Sequence, residues 1–82
     1  MRILIKLEVP AASAAYEMMV PNTLTIKELE TLVIKGVENL SNNRYVPSGV
    51  EFLCAEAFDL PLDERLTLGD YGIENGDRLF LI

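Results

Sequence analysis

Leu66–Ile82, LTLGDYGIENGDRLFLI, is the stretch whose reading decides the fold. Thr67-Leu68-Gly69-Asp70-Tyr71 reads as a capped polar turn, because Thr67 and Asp70 can exchange side-chain and backbone hydrogen bonds at this spacing. Gly72 and Asn75-Gly76 accept positive φ and predict a tight turn. Arg78-Leu79-Phe80-Leu81-Ile82 then alternates as a strand, with Leu79 and Leu81 on one face and Phe80 and Ile82 on the other. A turn, a bend and a strongly apolar strand in this order describe a segment that closes a small sheet.

The opening of the chain supplies that strand's partner. Ile3, Ile5, Leu7 and Val9 alternate with Leu4, Lys6 and Glu8, which predicts a half-buried strand over 2–9 that Pro10 stops. Residues 10–14, PAASA, form a short link. Tyr16, Met18 and Val20 then alternate with Glu17 and Met19, so the two runs read as a hairpin ended by Pro21 and Asn22. Thr25-Ile26-Lys27-Glu28 is a capping box with Thr25 at the N-cap, and Leu24 and Leu29 occupy the positions of a hydrophobic staple. Ile26, Leu29, Val33, Val37 and Leu40, with Leu32 beside them, predict a helix to about Asn39. Gly36 lies inside it, where a glycine costs about 1 kcal/mol against alanine; either it lets the helix pack closely on a sheet or the helix frays there.

Residues 41–49, SNNRYVPSG, are turn formers. Val50–Cys54 predicts a third strand. Placing Glu51 outward puts Val50, Phe52 and Cys54 inward and Leu53 outward. A short edge strand is expected near Phe58–Leu60, before Pro61. The order β-β-α-β-(β)-β, with one helix for one face, predicts an α+β fold of the β-grasp type. It has a mixed sheet of four to five strands, the first and last lying parallel at its centre.

Eighty-two residues predict a single domain, 1–82, and half of them are hydrophobic, enough for a core. Thirteen acidic and seven basic side chains give a net charge of −6, which phosphate backbones repel, so nucleic acid is excluded as a partner. The first strand carries Lys6 and Glu8 within its apolar run, which is unlike a signal peptide. No stretch approaches the ~20 apolar residues of a membrane span. A lone cysteine, Cys54, fits a reducing compartment. A cytoplasmic location with no membrane insertion is the expectation, and the Asn39-Leu40-Ser41 sequon would go unused there.

Met1-Arg2-Ile3-Leu4-Ile5-Lys6, the Thr25-Ile26 pair opening the helix, and Leu68-Gly69-Asp70-Tyr71-Gly72-Ile73 resemble the corresponding elements of ubiquitin over nearly the whole chain, with length differences at 41–49 and 55–62. Gly72-Ile73-Glu74-Asn75-Gly76-Asp77-Arg78-Leu79 is similar to a signature of the small bacterial YukD/EsaB family. Members of that family are cytosolic, non-conjugated accessory proteins of type VII secretion systems. The resemblance implies a ubiquitin-like β-grasp fold and a protein partner, such as a membrane or ATPase component of that machinery. It also implies that Tyr71 braces residues 59–64 by a hydroxyl bond to backbone.

Chemistry is sparse. Conjugation or sulfur transfer needs a flexible Gly-Gly terminus where this sequence has Leu81-Ile82, so neither is expected. The chain has no histidine, and Cys54, read as inward-facing, lacks a partner base. Asp59, Asp63, Glu64 and Asp70 read as turn, capping and solvated groups rather than a calcium loop. No catalytic residue, cofactor or metal is therefore expected. What remains is an apolar set on the face that the helix cannot cover: Leu4, Leu53, Phe80 and Ile82, edged by Lys6 and Arg78. A contiguous exposed apolar patch marks an interaction site, and the ubiquitin family binds partners on these strands. The expectation is a binding module with these six residues as its contact surface. A general adaptor or a homodimer built on the same patch is the alternative.

Overall fold

A computed structural model describes residues 1–57 and 60–82. Its elements are strand β1 (Arg2–Val9), a 3-10 turn at Pro10–Ala12, strand β2 (Ala14–Pro21), helix α1 (Ile26–Leu40), strand β3 (Leu53–Ala55) and strand β4 (Asp77–Leu81). The four strands form one sheet in the order β2-β1-β4-β3. The β1–β2 hairpin is antiparallel, β1 and β4 pair in parallel at the centre, and β3 returns antiparallel to β4. The edge strand expected near Phe58–Leu60 falls on Phe58 and Asp59, outside the described residues, and Leu60 lies in a bend.

The alternation on β1 works as expected. Ile3, Ile5, Leu7 and Val9 are buried, and they share a core with Val20 of β2, Leu79 and Leu81 of β4, and Ile26, Leu29, Val33 and Val37 of α1. Burying each such side chain contributes roughly 1.5–3 kcal/mol. At the hairpin link, Pro10–Ala12 make a turn closed by the Ser13 N–H on the Pro10 carbonyl, and Ser13 takes positive φ.

Both ends of α1 are accounted for. Thr25 Oγ1 accepts from Glu28 N–H at 3.2 Å while Glu28 Oε1 accepts from Thr25 N–H at 3.0 Å, the predicted reciprocal cap. The next two free amides are met by the chain's own carbonyls: Ile26 N–H donates to Leu66 O and Lys27 N–H to Glu64 O. At the other end Asn42 adopts φ 54°. Asn43 N–H reaches Glu38 O, and Asn42 N–H reaches Asn39 O. That is the paired bonding of a Schellman stop, with asparagine in the left-handed position. The helix runs unbroken through Gly36. A Cβ there would lie 2.8 Å from Met18 Cε, so the glycine admits the β2 methionine beneath the helix. Leu32 and Leu40, counted on the buried stripe from sequence, are 45 % and 55 % exposed, whereas Glu30 is buried.

The third strand is shorter than expected and has the opposite phase. Leu53 pairs with Leu81 and Cys54 with Phe80. Leu53 is therefore fully buried, Cys54 lies on the other face and Val50 is 78 % exposed. The inversion has a local cause. Glu51 need not turn to solvent, because its carboxylate accepts from Tyr45 Oη at 2.6 Å, Ser48 N–H at 2.8 Å and Gly49 N–H at 3.0 Å. Burial pushes the Glu51 carboxyl up, but these hydrogen bonds outweigh it and leave the group below its ordinary value. Tyr45 is driven up to about 12, first by burial and then by bonding to that carboxylate.

The closing segment forms two clamps. Thr67 and Asp70 exchange N–H bonds at 2.9 and 3.0 Å. Gly72 and Gly76 take positive φ, while Asn75 contributes its side chain instead: Oδ1 accepts from Leu4 N–H at 2.6 Å, and Gly76 N–H donates to Leu4 O at 2.7 Å. That grip on both polar groups of one β1 residue fixes the parallel register.

Candidate protein-interaction face

Helix α1 covers the side of the sheet that carries Ile5 and Leu7. Alternation sends Arg2, Leu4, Lys6 and Glu8 to the open side. Pairing extends that side across the sheet. Leu4 lies opposite Met19 of β2, Lys6 opposite Glu17, and Glu8 opposite Ala15. On the other flank Lys6 faces Arg78 of β4 and Glu8 faces Phe80. Cys54 faces Phe80 from β3, and Phe52 and Ile82 exchange backbone hydrogen bonds at 3.2 and 3.0 Å.

The apolar residues on this face gather at opposite corners. Leu4 and Met19 form one corner, and Phe52, Cys54, Phe80 and Ile82 the other. In register Phe80 stands beside Glu8, four residues along β1 from Leu4, so the corners are separated by roughly 13 Å along the strands. A charged band runs between them. Arg78 lies 3.5 Å from Glu8 and 4.0 Å from Glu56, with Lys6 and Glu17 next in line. Arg78 is 45 % exposed at its side chain, so these pairs are solvent-screened and organise the surface more than they stabilise it.

Of the six residues selected from sequence, Leu4, Lys6, Arg78, Phe80 and Ile82 lie on the open face, but not as one patch. Leu53 is corrected: it is a core residue at 0 % exposure. Met19, Phe52 and Cys54 were missed. Met19 was readable, since hairpin pairing sets it against Leu4; Phe52 and Cys54 were lost with the phase of β3. Met19 and Ile82 are the most accessible apolar groups of the two corners, each 51 % exposed. Burial raises the Cys54 thiol above its ordinary value, so at neutral pH it is an apolar contact group rather than a thiolate.

Away from this face, Tyr71 Oη accepts from Asp63 N–H at 2.7 Å, the bracing role implied by the ubiquitin resemblance. Arg65 hydrogen bonds hold Asp63 down at about 2. Glu30 on α1 is the buried acid among the described residues, at 6 % exposure. Burial foremost, then a hydrogen bond with the Glu64 side chain and its charge, push Glu30 up to about 7. Its position was legible, since residue 30 lies four after Ile26 and three before Val33, on the buried stripe. Among the described residues no three His, Cys, Asp or Glu side chains come together to hold a metal ion, and no helix is long and apolar enough to cross a membrane.

No protein-family profile and no curated protein matches the chain. Solved structures do. The ubiquitin-like domain of EccD5 from Mycobacterium xenopi superposes with a TM-score of 0.82 at 17 % identity, covering 100 % of this chain and 93 % of that one. The ubiquitin-like domain of the Mycobacterium tuberculosis type VII secretion protein EccD1 gives 0.78 at 12 %, covering 100 % and 98 %. A chain of the MycP5-free ESX-5 inner membrane complex gives 0.79 at 14 %, covering 99 % of this chain and 20 % of that one. At these identities the likeness is one of fold, and it agrees with the strand order and the single packed helix: the chain has the ubiquitin-like β-grasp fold.

Proposed function

We propose that the protein is a ubiquitin-like interaction module that acts by binding, without conjugation or catalysis, as a cytosolic accessory component of a bacterial type VII secretion system of the YukD/EsaB kind. The observation that carries the binding role is the apolar corner Phe52–Cys54–Phe80–Ile82 on a sheet face that no element of the described chain covers. The secretion setting is supported by the Gly72–Leu79 signature and by folds shared with an EccD1 domain and a chain of an ESX-5 inner membrane complex. The partner is a membrane or ATPase component of that machinery, met through the open face with Leu4, Lys6 and Arg78 outside the main corner.

The test is co-purification with the type VII membrane and ATPase components, comparing wild type with a Phe80→Ser, Ile82→Ser double variant. The variant is expected to keep the wild-type circular dichroism spectrum and lose the partner. Retained capture at wild-type yield overturns the surface assignment. The exposed Ile82 corner would equally serve a twofold contact between two copies. Sedimentation that depends on concentration, and is abolished by the same variant, would favour that homodimer reading.

A further inference from the structure

Strands β2 and β3 are the two edges of the sheet; β3 has three residues and β2 has eight. The register shows which backbone groups of β2 are spare. Asn22 N–H donates to Met1 O at 2.9 Å. In an antiparallel ladder bonded pairs alternate, so they continue at Ile3 with Val20, Ile5 with Met18, Leu7 with Tyr16 and Val9 with Ala14. The N–H and C=O groups of Ala15, Glu17 and Met19 therefore point away from β1, and among the described residues no strand lies beyond them. Pro21 ends the row, having no N–H to offer. Long edges are usually blunted by lysines, a bulge or a covering element. Here residues 14–20 carry one charge, Glu17, and an unbroken register.

A cleft of about 290 Å³ follows the same edge, lined by Met18, Met19 and Val20 of β2 and by Leu32 and Gly36 of α1. Met19 lies on the open face and Met18 and Val20 on the helix face, so a cavity that all three line runs round the free edge. Gly36 keeps it open, because a Cβ there would come within 2.8 Å of Met18 Cε. Leu32 stands 45 % exposed at its rim. Two charges of opposite sign accompany the edge on the open face. Arg2, which also lines the cleft, lies opposite Pro21, and Glu17 is four residues further back along β2. Lys6 faces Glu17 in register, yet among the described residues neither Arg2 nor Glu17 is held in an ion pair.

Charge decides between two occupants of this edge. A second copy that used all three free rungs would pair β2 with β2 about Glu17, setting that carboxylate directly against its twin, which is unfavourable. A strand from another protein carries no such restriction. We propose that the free edge of β2 takes an extended peptide segment of a partner as an added antiparallel strand. Its main chain bonds to Ala15, Glu17 and Met19. Apolar side chains opposite Met18 and Val20 enter the cleft, a basic one meets Glu17, and an acidic one opposite Pro21 comes within reach of Arg2. Main-chain bonds hold such a segment and its alternating side chains select it. The edge lies across the sheet from the Phe80 corner, so this site stands or fails independently of the open-face assignment.

The experiment is an NMR amide titration of the isotope-labelled protein with the capped peptide acetyl-DVTVKV-amide, whose lysine meets Glu17 and whose aspartate meets Pro21 in the antiparallel register. The Glu17 and Met19 amides should move downfield and gain exchange protection, and Leu32 and Gly36 should shift with them, saturating with a Kd below about 1 mM. N-methylation of the peptide's threonine and lysine, whose N–H groups face β2, should weaken binding at least about tenfold. The same modification on two valines, whose amides point to solvent, should be tolerated. Glu17→Lys should weaken binding at least about threefold and favour a peptide with glutamate in place of lysine. The Phe80→Ser, Ile82→Ser variant should bind as wild type does. No saturable shift at β2 with about 2 mM peptide, shifts confined to the Phe80 corner, or equal binding of the peptide methylated at threonine and lysine overturns the proposal. So do β2 shifts that follow protein concentration without peptide, which would give the edge to a second copy.

Discussion

On β4, Leu79 and Leu81 are buried to within 1 % exposure, while Arg78 is exposed and Phe80 half-buried between them. The same strand thus serves two surfaces under opposite constraints. On the covered side every neighbour is fixed by close packing, and a misplaced group has nowhere to go. On the open side apolar and charged groups coexist in register, because water meets whatever the neighbours do not. The lesson is that burial alone does not rank these residues; the number of donors and packing partners around each one does. Glu30 and Glu51 make the point within one residue type. Glu51 meets three donors that outweigh its burial and stays below its ordinary pKa, whereas Glu30 is pushed up to about 7 by burial first and by the Glu64 carboxyl after it.

The hardest test of this contrast is a pair of truncations in register. Leu53→Ala or Leu79→Ala should lower unfolding free energy in urea by about 2–5 kcal/mol. Phe80→Ser beside them should cost clearly less, and equal costs would erase the distinction between the faces. Next, raising pH from about 4.5 to 8 should remove on the order of 2 kcal/mol of stability through Glu30, because the folded state keeps a proton that the unfolded state has lost. Glu30→Leu should flatten that slope in chemical denaturation and gain stability at the alkaline end. Thr25→Ala, which removes the cap that seats α1 on the covered side, should cost about 1 kcal/mol. Tyr71→Phe leaves the Asp63 N–H without its acceptor and should cost roughly 0.5–1.5 kcal/mol by the same denaturation assay. On the open side, Lys6→Ala should change stability by less than about 0.5 kcal/mol, and a larger loss would mean the charged band supports the fold.

Much of the covered side was legible in the sequence, because periodicity and capping are local. The hairpin and the Thr25–Glu28 cap were each signalled by residues within a few positions of one another, and the two central strands each by their own alternation. The phase of β3 was not. It depended on whether Glu51 sought water, and three loop donors decided that it did not. The open face was readable as a list of residues but not as a map. Parallel register between β1 and β4 is set by the Asn75–Gly76 grip on Leu4, a contact across 71 positions that no local pattern reveals. That register moved Leu4 away from Phe80 and turned one expected patch into two corners. Glu30 stands on the helical stripe at a position where the spacing alone calls for an aliphatic side chain, so its burial was within reach of the pattern.

The grip of Asn75 on Leu4 also bears on how the protein is born. Emerging from a ribosome, β1, β2 and α1 are all in solution before β4 exists. The inner edge of β1 therefore waits unpaired, with Leu7 and its neighbours lacking their other half. Contacts this distant are slow to close, since most of the chain's entropy must be surrendered first. A waiting apolar edge is what chaperones bind and what aggregates. Until residues 75–81 arrive, the hairpin and helix form only half a molecule, and the central ladder has to wait for them.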